Sequence, residues 1–388
     1  MKLAVIWSRF GPYHLARLAG AARAGAASGV EVVGIEIAAK DSQYEWALET
    51  GARGFERVTV FADCNYHTLS TLEMRRGVYA ALERLSPEAV AINGWSVPEA
   101  RAALDWCRNN RRQAILMSES KADDSPRQAW KEAIKRLIVR RYDDALVGGR
   151  PHARYLVSLG FPADRIRLGY NTVDNNYFAS GTAAVRDNAD RFRDELSLPR
   201  RFFFACTRFL ERKNVDGLLR AYAVYRAQTR DEPWGLVIAG SGDQKPALTS
   251  LERYLGVEGV QWPGFVQYTD LPTYYALATA FVHPAKSEPW GLVVNEAAAS
   301  GLPLLVSRTV GSASELVVDG ETGWRFDPFN DASLVQSMVR VAALSDRERA
   351  RVGDKARCLV SNWGPERFGD ELVATLSSAS GASGRAAR

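Results

Sequence analysis

The sequence predicts an α/β protein of two doubly wound, Rossmann-like parallel-sheet halves facing one cleft. Short β-branched runs alternate with amphipathic helical stretches along nearly the whole chain, and the alternation lapses once near the middle before restarting. Continuous apolar strands separated by helices mean a parallel sheet covered on both faces. The 388 residues also exceed the roughly 250–300 at which a single core stops growing, so two cores are expected.

In chain order, the first-half strands are expected at Leu3–Trp7, Val30–Ile37, Arg57–Phe61, Ala89–Asn93, Ala114–Ser118 and Ala145–Gly148. Between them, Tyr13–Ala24, Leu69–Leu85, Glu99–Asn109 and Ala129–Arg141 carry apolar residues at helical spacing. Residues 179–191 are small and polar and read as a linker between a first domain, 1–178, and a second, 192–362. The second-half strands are expected at Arg201–Thr207, Gly235–Gly240, Val260–Phe265, Ala280–Pro284, Leu302–Ser307 and Trp324–Asp327. A closing helix within 363–376 is expected to pack back on the first domain, and the Ser/Gly/Ala-rich 377–388 to fray.

Composition narrows the function classes. Hydrophobic residues at 46% and charged residues at 24% are ordinary for a globular chain. The net charge of +5 is too small to argue nucleic-acid binding, though it suits an anionic small molecule or a membrane surface, and no aromatic-plus-basic motif supports a nucleic-acid partner. No apolar run approaches the roughly 20 residues of a membrane span, and the start lacks a signal-peptide pattern. The four cysteines, Cys64, Cys107, Cys206 and Cys358, form no C-x-x-C pair. A disulfide framework and structural zinc are disfavoured, and a reducing cytosol fits. The doublets Asp123-Asp124 and Asp143-Asp144 read as helix caps or solvated residues. With four scattered histidines, no metal site is expected. Neither half carries G-x-G-x-x-G after its first strand, which argues against a dehydrogenase. The basic run Arg127–Arg141 reads as a solvated face, with docking to an anionic membrane or acceptor as the sharper alternative.

Ligands of open parallel sheets bind outside the carboxyl ends of the strands. The most informative segment there is His283–Pro303, which reads as strand, tight loop, helix, glycine stop and strand. A helix beginning near Trp290–Gly291 would present free N–H groups to a phosphate. Gly291 lets a ligand approach the backbone, with Leu292 beside it. Glu288 precedes the helix, whereas Glu296 lies about a turn and a half inside it and leans toward its start. Carboxylates so placed suit hydroxyl groups, one on a sugar and the other on a ribose. The alternative is a helix cap and a solvated surface residue.

Glu288 and Glu296, with seven residues between them, then an Ala-rich helix and Gly301-Leu302-Pro303, resemble the signature of the retaining glycosyltransferases of family 4 (group 1), which have the GT-B fold. The resemblance extends through Gly311–Gly323, through Gly264-Phe265-Val266 with the following Leu271–Ala278 helix, and through Ala239-Gly240-Ser241-Gly242. It implies cofactor-free hexosyl transfer from a UDP- or GDP-linked sugar to a hydroxyl of a glycan, lipid or small metabolite. Thr207–Asn214 is similar to the family segment whose Arg and Lys hold the donor diphosphate, here Arg208 and Lys213. Fixed cations there stabilise a leaving group that gains charge in the transition state; a solvated basic turn is the bland alternative. Glu288 would serve the sugar, Glu296 the ribose, and Trp290, Gly291, Leu292, Gly240 and Val266 the rest of the donor, with the Val266 backbone facing the base. No metal motif is present, so the transfer is expected to be metal-independent.

The first half would bind the acceptor. Ser8–His14 stands where the family has a glycine-rich loop facing the diphosphate and acceptor; backbone approach of the donor is expected there at Gly11 alone, and His14 is either an acceptor contact or a surface histidine. Ser118-Glu119-Ser120 stands where many family members carry a histidine, so Glu119 is the candidate to polarise the acceptor hydroxyl, against a helix cap. Trp95 and Trp290 either stack on a ligand or pack in the core. Gly169–Phe178 looks like the family's domain-junction segment and is expected to be hinge architecture. The competing functions are a nucleotide-sugar sensor without transfer, a sugar-nucleotide epimerase and a glycan phosphorylase. The expected location is cytoplasmic, with any membrane contact peripheral and on the inner face.

Overall fold

The computed structural model describes residues 1–40, 54–229 and 232–382. Two compact units divide the chain: Met1–Val173 together with the segment from Trp363 onward, and Asp174–Asn362.

The first unit is built on seven parallel strands: β1 (Lys2–Trp7), β2 (Glu31–Lys40), β3 (Glu56–Asn65), β4 (Ala89–Asn93), β5 (Gln113–Ser118), β6 (Asp144–Val147) and β7 (Ile166–Leu168). They lie in the order β3-β2-β1-β4-β5-β6-β7. Central β1 is a continuous apolar run, and Leu3, Ala4, Val5 and Ile6 are wholly buried, as a strand covered on both faces requires. Helices α1 (Pro12–Ala27), α2 (Thr71–Leu85), α3 (Pro98–Asn109), α4 (Ala129–Val139) and α5 (Arg150–Ser158) connect these strands. Strand β7 was not expected from the sequence; its three residues are too few to show a period.

The second unit opens with α6 (Asn175–Arg186) and α7 (Ala189–Leu196). Its strands are β8 (Phe202–Cys206), β9 (Gly235–Ala239), β10 (Val260–Gly264), β11 (Ala280–His283), β12 (Leu304–Ser307) and β13 (Gly323–Phe326). They are parallel and ordered β10-β9-β8-β11-β12-β13. Helices α8 (Val215–Gln228), α9 (Lys245–Leu255), α10 (Leu271–Leu277), α11 (Leu292–Ala299), α12 (Ala313–Leu316), α13 (Asp331–Ala342) and α14 (Asp346–Val360) complete it.

The segment 179–191, read above as a linker, is corrected by the structure: it forms the end of α6 and the start of α7. Asp174 caps α6 by accepting the Tyr177 N–H at 3.0 Å. The alanines that looked featureless are good helix formers. Phe178, Thr182 and Val185 supply the buried face, and Arg186 reaches the carbonyls of Ala276 and Ser300. The last helix, α15 (Pro365–Ala382), places Phe368, Leu372 and Leu376 in one cluster with Leu3, Val5 and Leu15 of the first unit. The part of the expected frayed tail beyond residue 382 lies outside the described residues.

Both sheets share one winding pattern, and strand order reverses between β1 and β4 and again between β8 and β11. Loops leaving the carboxyl ends of those strands diverge and open a crevice. Within each unit, that edge is where a ligand site is built.

Candidate functional site

In the second unit, the sequence-predicted donor residues follow four neighbouring strands. The sheet order puts the loop of Gly264 and Val266 after β10, that of Gly240 after β9, that of Arg208 and Lys213 after β8, and that of Glu288 and Gly291 after β11. Neighbouring strands are about 4.8 Å apart, so the row from Val266 to Glu288 spans roughly 14 Å. That reach suits an extended ligand with a ring at each end and charge between.

The cationic loop after β8 is held by backbone contact. Thr207 N–H donates to the Ala239 carbonyl at 3.0 Å, and Phe209 N–H to that of Ser241 at 2.8 Å. Gly240 has φ of +143°, and a Cβ there would collide with the Thr207 carbonyl oxygen. Its glycine is therefore needed so that two loops can touch. Asn214 ends the loop in the left-handed region at φ +56°, which asparagine tolerates. Its Nδ2 donates to the carbonyls of Pro284 and Pro328, both at 3.1 Å. This asparagine ties the β8 loop to the β11 loop and was not singled out by the sequence. Arg208 is exposed and has no ion-pair partner among the described residues.

Glu288 is the centre of charge. It is buried and pairs with Lys213; Arg212 Nη1 stands 3.8 Å from its Oε1, and His283 Nε2 3.4 Å from its Oε2. Burial alone would raise the Glu288 carboxyl, but contact with His283 and the charge of Lys213 outweigh it and hold it well below the usual carboxylate range. Burial also keeps His283 below its ordinary value despite Glu288. The site therefore holds an ionised carboxylate and a neutral imidazole at neutral pH. His283, the last residue of β11, carried no sequence signal beyond its place at a strand end.

Helix α11 starts without a capping side chain, and its N-cap Gly291 sits at φ +88°. A Cβ at Gly291 would meet Val310 Cγ1 at 3.1 Å and Glu288 Cγ at 3.3 Å. Leu292 is half-buried at the first helical position. Val294 N–H returns to the Gly291 carbonyl at 3.0 Å; the N–H groups just before it point out of the helix end and suit an anion. Two expectations are corrected here. Trp290 is a core residue, with its Nε1–H donating to Asn295 Oδ1 at 2.8 Å, and offers no open ring for stacking. Glu296 is fully buried and accepts from Tyr275 Oη at 2.7 Å, so it is neither a solvated residue nor open to a ribose in this arrangement.

The first unit differs at the corresponding edge. After β1, Phe10 N–H donates to buried Glu36 at 2.9 Å, Gly11 N–H donates to His14 Nδ1 at 3.1 Å, and Pro12 has no N–H. The N–H of Gly11 is thus engaged, and the expected backbone approach at Gly11 itself is closed. Buried Glu99 accepts from Ser8 and Tyr66 beside Asn93 at the same edge. Trp95 packs in the core and is not available for stacking. Glu119 is exposed and accepts from Asn171 Nδ2 at 3.2 Å.

Burial, together with Arg17 and Arg9, lowers His14 from 6.5 to about 3. As pH falls from 6.5 toward 3, the unfolded chain binds a proton that the folded chain refuses, so stability is lost across that window. His14→Gln should therefore lose less melting temperature than the parent between about pH 7 and pH 5. Equal losses would contradict the assignment.

Comparison with known proteins agrees with this division. Residues 187–358 match the family model described as glycosyl transferases group 1. A GDP-mannose-dependent α-(1-6)-phosphatidylinositol monomannoside mannosyltransferase of Mycolicibacterium smegmatis is 30% identical over 215 residues, 53% of this chain and 54% of the relative. The D-inositol 3-phosphate glycosyltransferase of Thermomonospora curvata is 30% identical over 240 residues, 59% of this chain and 54% of the relative. The chain thus spans about half the length of the curated relatives it matches. Among solved structures, sucrose-phosphate synthase of Thermosynechococcus elongatus superposes with a TM-score of 0.75 at 19% identity, covering 98% of this chain and all of the other. Anabaena HepE in complex with UDP and glucose gives 0.73 at 16% identity, covering 97% and 100%. At such identities the likeness shows the fold alone, an α/β fold of two Rossmann-like domains shared with GT-B proteins.

Proposed function

We propose, from the premise that residues 187–358 make the second unit a member of the glycosyl transferases group 1, that the chain transfers a hexosyl group from a nucleotide-diphosphate sugar to an acceptor hydroxyl, with retention and without a metal ion. The observation that carries this reading is the meeting of Lys213, Glu288 and the uncapped start of α11 at the strand-order reversal between β8 and β11.

The donor, UDP- or GDP-linked, lies along the second sheet's carboxyl edge, with its base near Val266 and its diphosphate at Arg208, Lys213 and the α11 start. As the bond from the anomeric carbon to the phosphate oxygen breaks, charge grows on that phosphate, and fixed cations and N–H dipoles stabilise it most in the transition state. Lys213 turns from Glu288 alone to Glu288 and phosphate together. Glu288, kept ionised, accepts from sugar hydroxyls. Glu296 acts indirectly, holding Tyr275 behind the ribose. The acceptor binds in the first unit, where Glu119 polarises its hydroxyl and His14 adjoins it. The acceptor oxygen attacks the anomeric carbon from the face the leaving group occupies, and its proton passes to the departing phosphate.

Among the described residues, no group of three His, Cys, Asp or Glu side chains is placed to hold a metal ion, and the cations of the β8 loop supply the countercharge. Among those residues, no helix is long and apolar enough to cross a membrane. The protein is proposed to work in the cytoplasm, peripheral to the inner face of the membrane through residues 127–141. The test is nucleotide release from a panel of UDP- and GDP-sugars in excess EDTA, with thermal shift as the binding readout. Turnover in EDTA is expected. Activity restored only by Mn²⁺ or Mg²⁺ overturns metal independence. Nucleotide binding without release by any acceptor points to the sensor alternative.

A further inference from the structure

Helix α4 carries two apolar faces, where a helix of a water-soluble domain usually turns one apolar stripe inward. Ile138 and Val139, at its end, pack into the core, and a charged pair faces inward before them. Glu132 accepts from Lys135 Nζ at 2.8 Å and from Tyr155 Oη at 2.9 Å, and the Arg127 guanidinium lies 4.3 Å over the buried Tyr155 ring. The outer face carries Trp130, Ile134 and Leu137, at 61%, 48% and 68% exposure. Their i, i+4, i+7 spacing makes them one stripe.

Charge surrounds that stripe. Residues 127–141 hold six cations and one carboxylate, 6 − 1 = +5, as large as the net charge of the entire chain. The single carboxylate, Glu132, is already matched inward. Lys131, Arg136 and Arg140 are exposed and have no ion-pair partner among the described residues. An exposed apolar stripe marks an interaction surface, and three uncompensated cations beside it select an anionic partner. A second copy of the chain fits poorly, because a two-fold contact through the stripe would set the same cations against each other.

We infer that α4 docks on an anionic phospholipid bilayer, with Trp130, Ile134 and Leu137 entering the boundary between headgroups and acyl chains and Lys131, Arg136 and Arg140 binding lipid phosphates. This rests on the peripheral-membrane reading of 127–141 and gives that contact its chemistry. Tryptophan suits that boundary, and long cationic side chains reach back to the headgroups. The helix follows β5 and the Glu119 loop, so docking brings the carboxyl edge of the first sheet close to the lipid surface.

The test is co-sedimentation of the full chain with phosphatidylcholine vesicles, with and without about a third phosphatidylglycerol, at low and high salt. Salt-sensitive binding to the anionic vesicles alone is expected. Trp130→Ser/Ile134→Ser/Leu137→Ser and Lys131→Glu/Arg136→Glu should each weaken it by about tenfold or more without lowering the melting temperature. A parent chain that stays in the supernatant overturns the proposal, as does a triple-serine variant that binds like the parent. A parent dimer that the triple variant makes monomeric, with no vesicle binding, assigns the stripe to a second copy and also overturns it. Nucleotide thermal shift is read on the same samples. A parent that binds nucleotide but no vesicle sinks the docking alone, and a parent that binds vesicles but no nucleotide sinks the transfer reading alone.

Discussion

Lys213→Ala lowers donor turnover by about 10²-fold or more, the scale seen when one preorganised partner of developing charge is removed. Its consequence is double, because Lys213 is also the buried partner of Glu288. Removing one member of a buried pair costs roughly 3–5 kcal/mol, since the other charge stays uncompensated. A fall in melting temperature is therefore expected alongside the loss of rate. The double variant Lys213→Met/Glu288→Gln separates the two effects: with both charges gone, much of the stability returns, yet turnover stays low. Arg208→Ala, exposed and unpaired among the described residues, should lose rate with almost no change in stability. Unchanged turnover in Lys213→Ala would remove this lysine from the diphosphate site.

Gly291→Val weakens nucleotide binding by more than about tenfold, as expected when the backbone at an anion-binding helix start is displaced. A β-branched residue at φ +88° is strained, at about 1–3 kcal/mol, and its Cβ would press on Val310 and Glu288. Gly11→Ala is the control. Gly11 is extended at φ −128° and its N–H is held by His14, so nucleotide affinity should hardly change. Titration of each variant with UDP and GDP decides between them. Equal affinity in Gly291→Val and the parent would mean that the α11 start does not hold the anion.

The readable parts of this chain are those governed by local pattern. Central strands such as Leu3–Trp7 and Ala89–Asn93 are unbroken apolar runs, and their ends fall within a residue of the sequence reading. The places of Glu288, Arg208 and Gly291 in the fold were legible because each follows a strand or opens a helix. Residues 179–191 were not, because small residues without an apolar stripe look like a linker until Phe178 and Arg186 find partners far along the chain. Trp290 and Glu296 were misjudged for a related reason. Whether a tryptophan or a carboxylate faces a ligand or the core depends on Asn295 and Tyr275, and the second of these comes from another helix. Glu36 and Glu99 carried no signal at all: a glutamate within a strand or at a helix start reads as solvated, yet both are buried acceptors that fix the β1 loop. The stripe on α4 was masked in the same way, since its periodicity is that of any packed amphipathic helix.

The central claim is that the second unit binds a nucleoside diphosphate through Arg208, Lys213 and the α11 start, with no metal ion. Calorimetric titration of the parent with UDP and with GDP in excess EDTA tests it most directly. Saturable binding of at least one of them, lost in Arg208→Ala/Lys213→Ala, is the predicted result. No binding until Mn²⁺ or Mg²⁺ is supplied, or undiminished binding in the double variant, would contradict it.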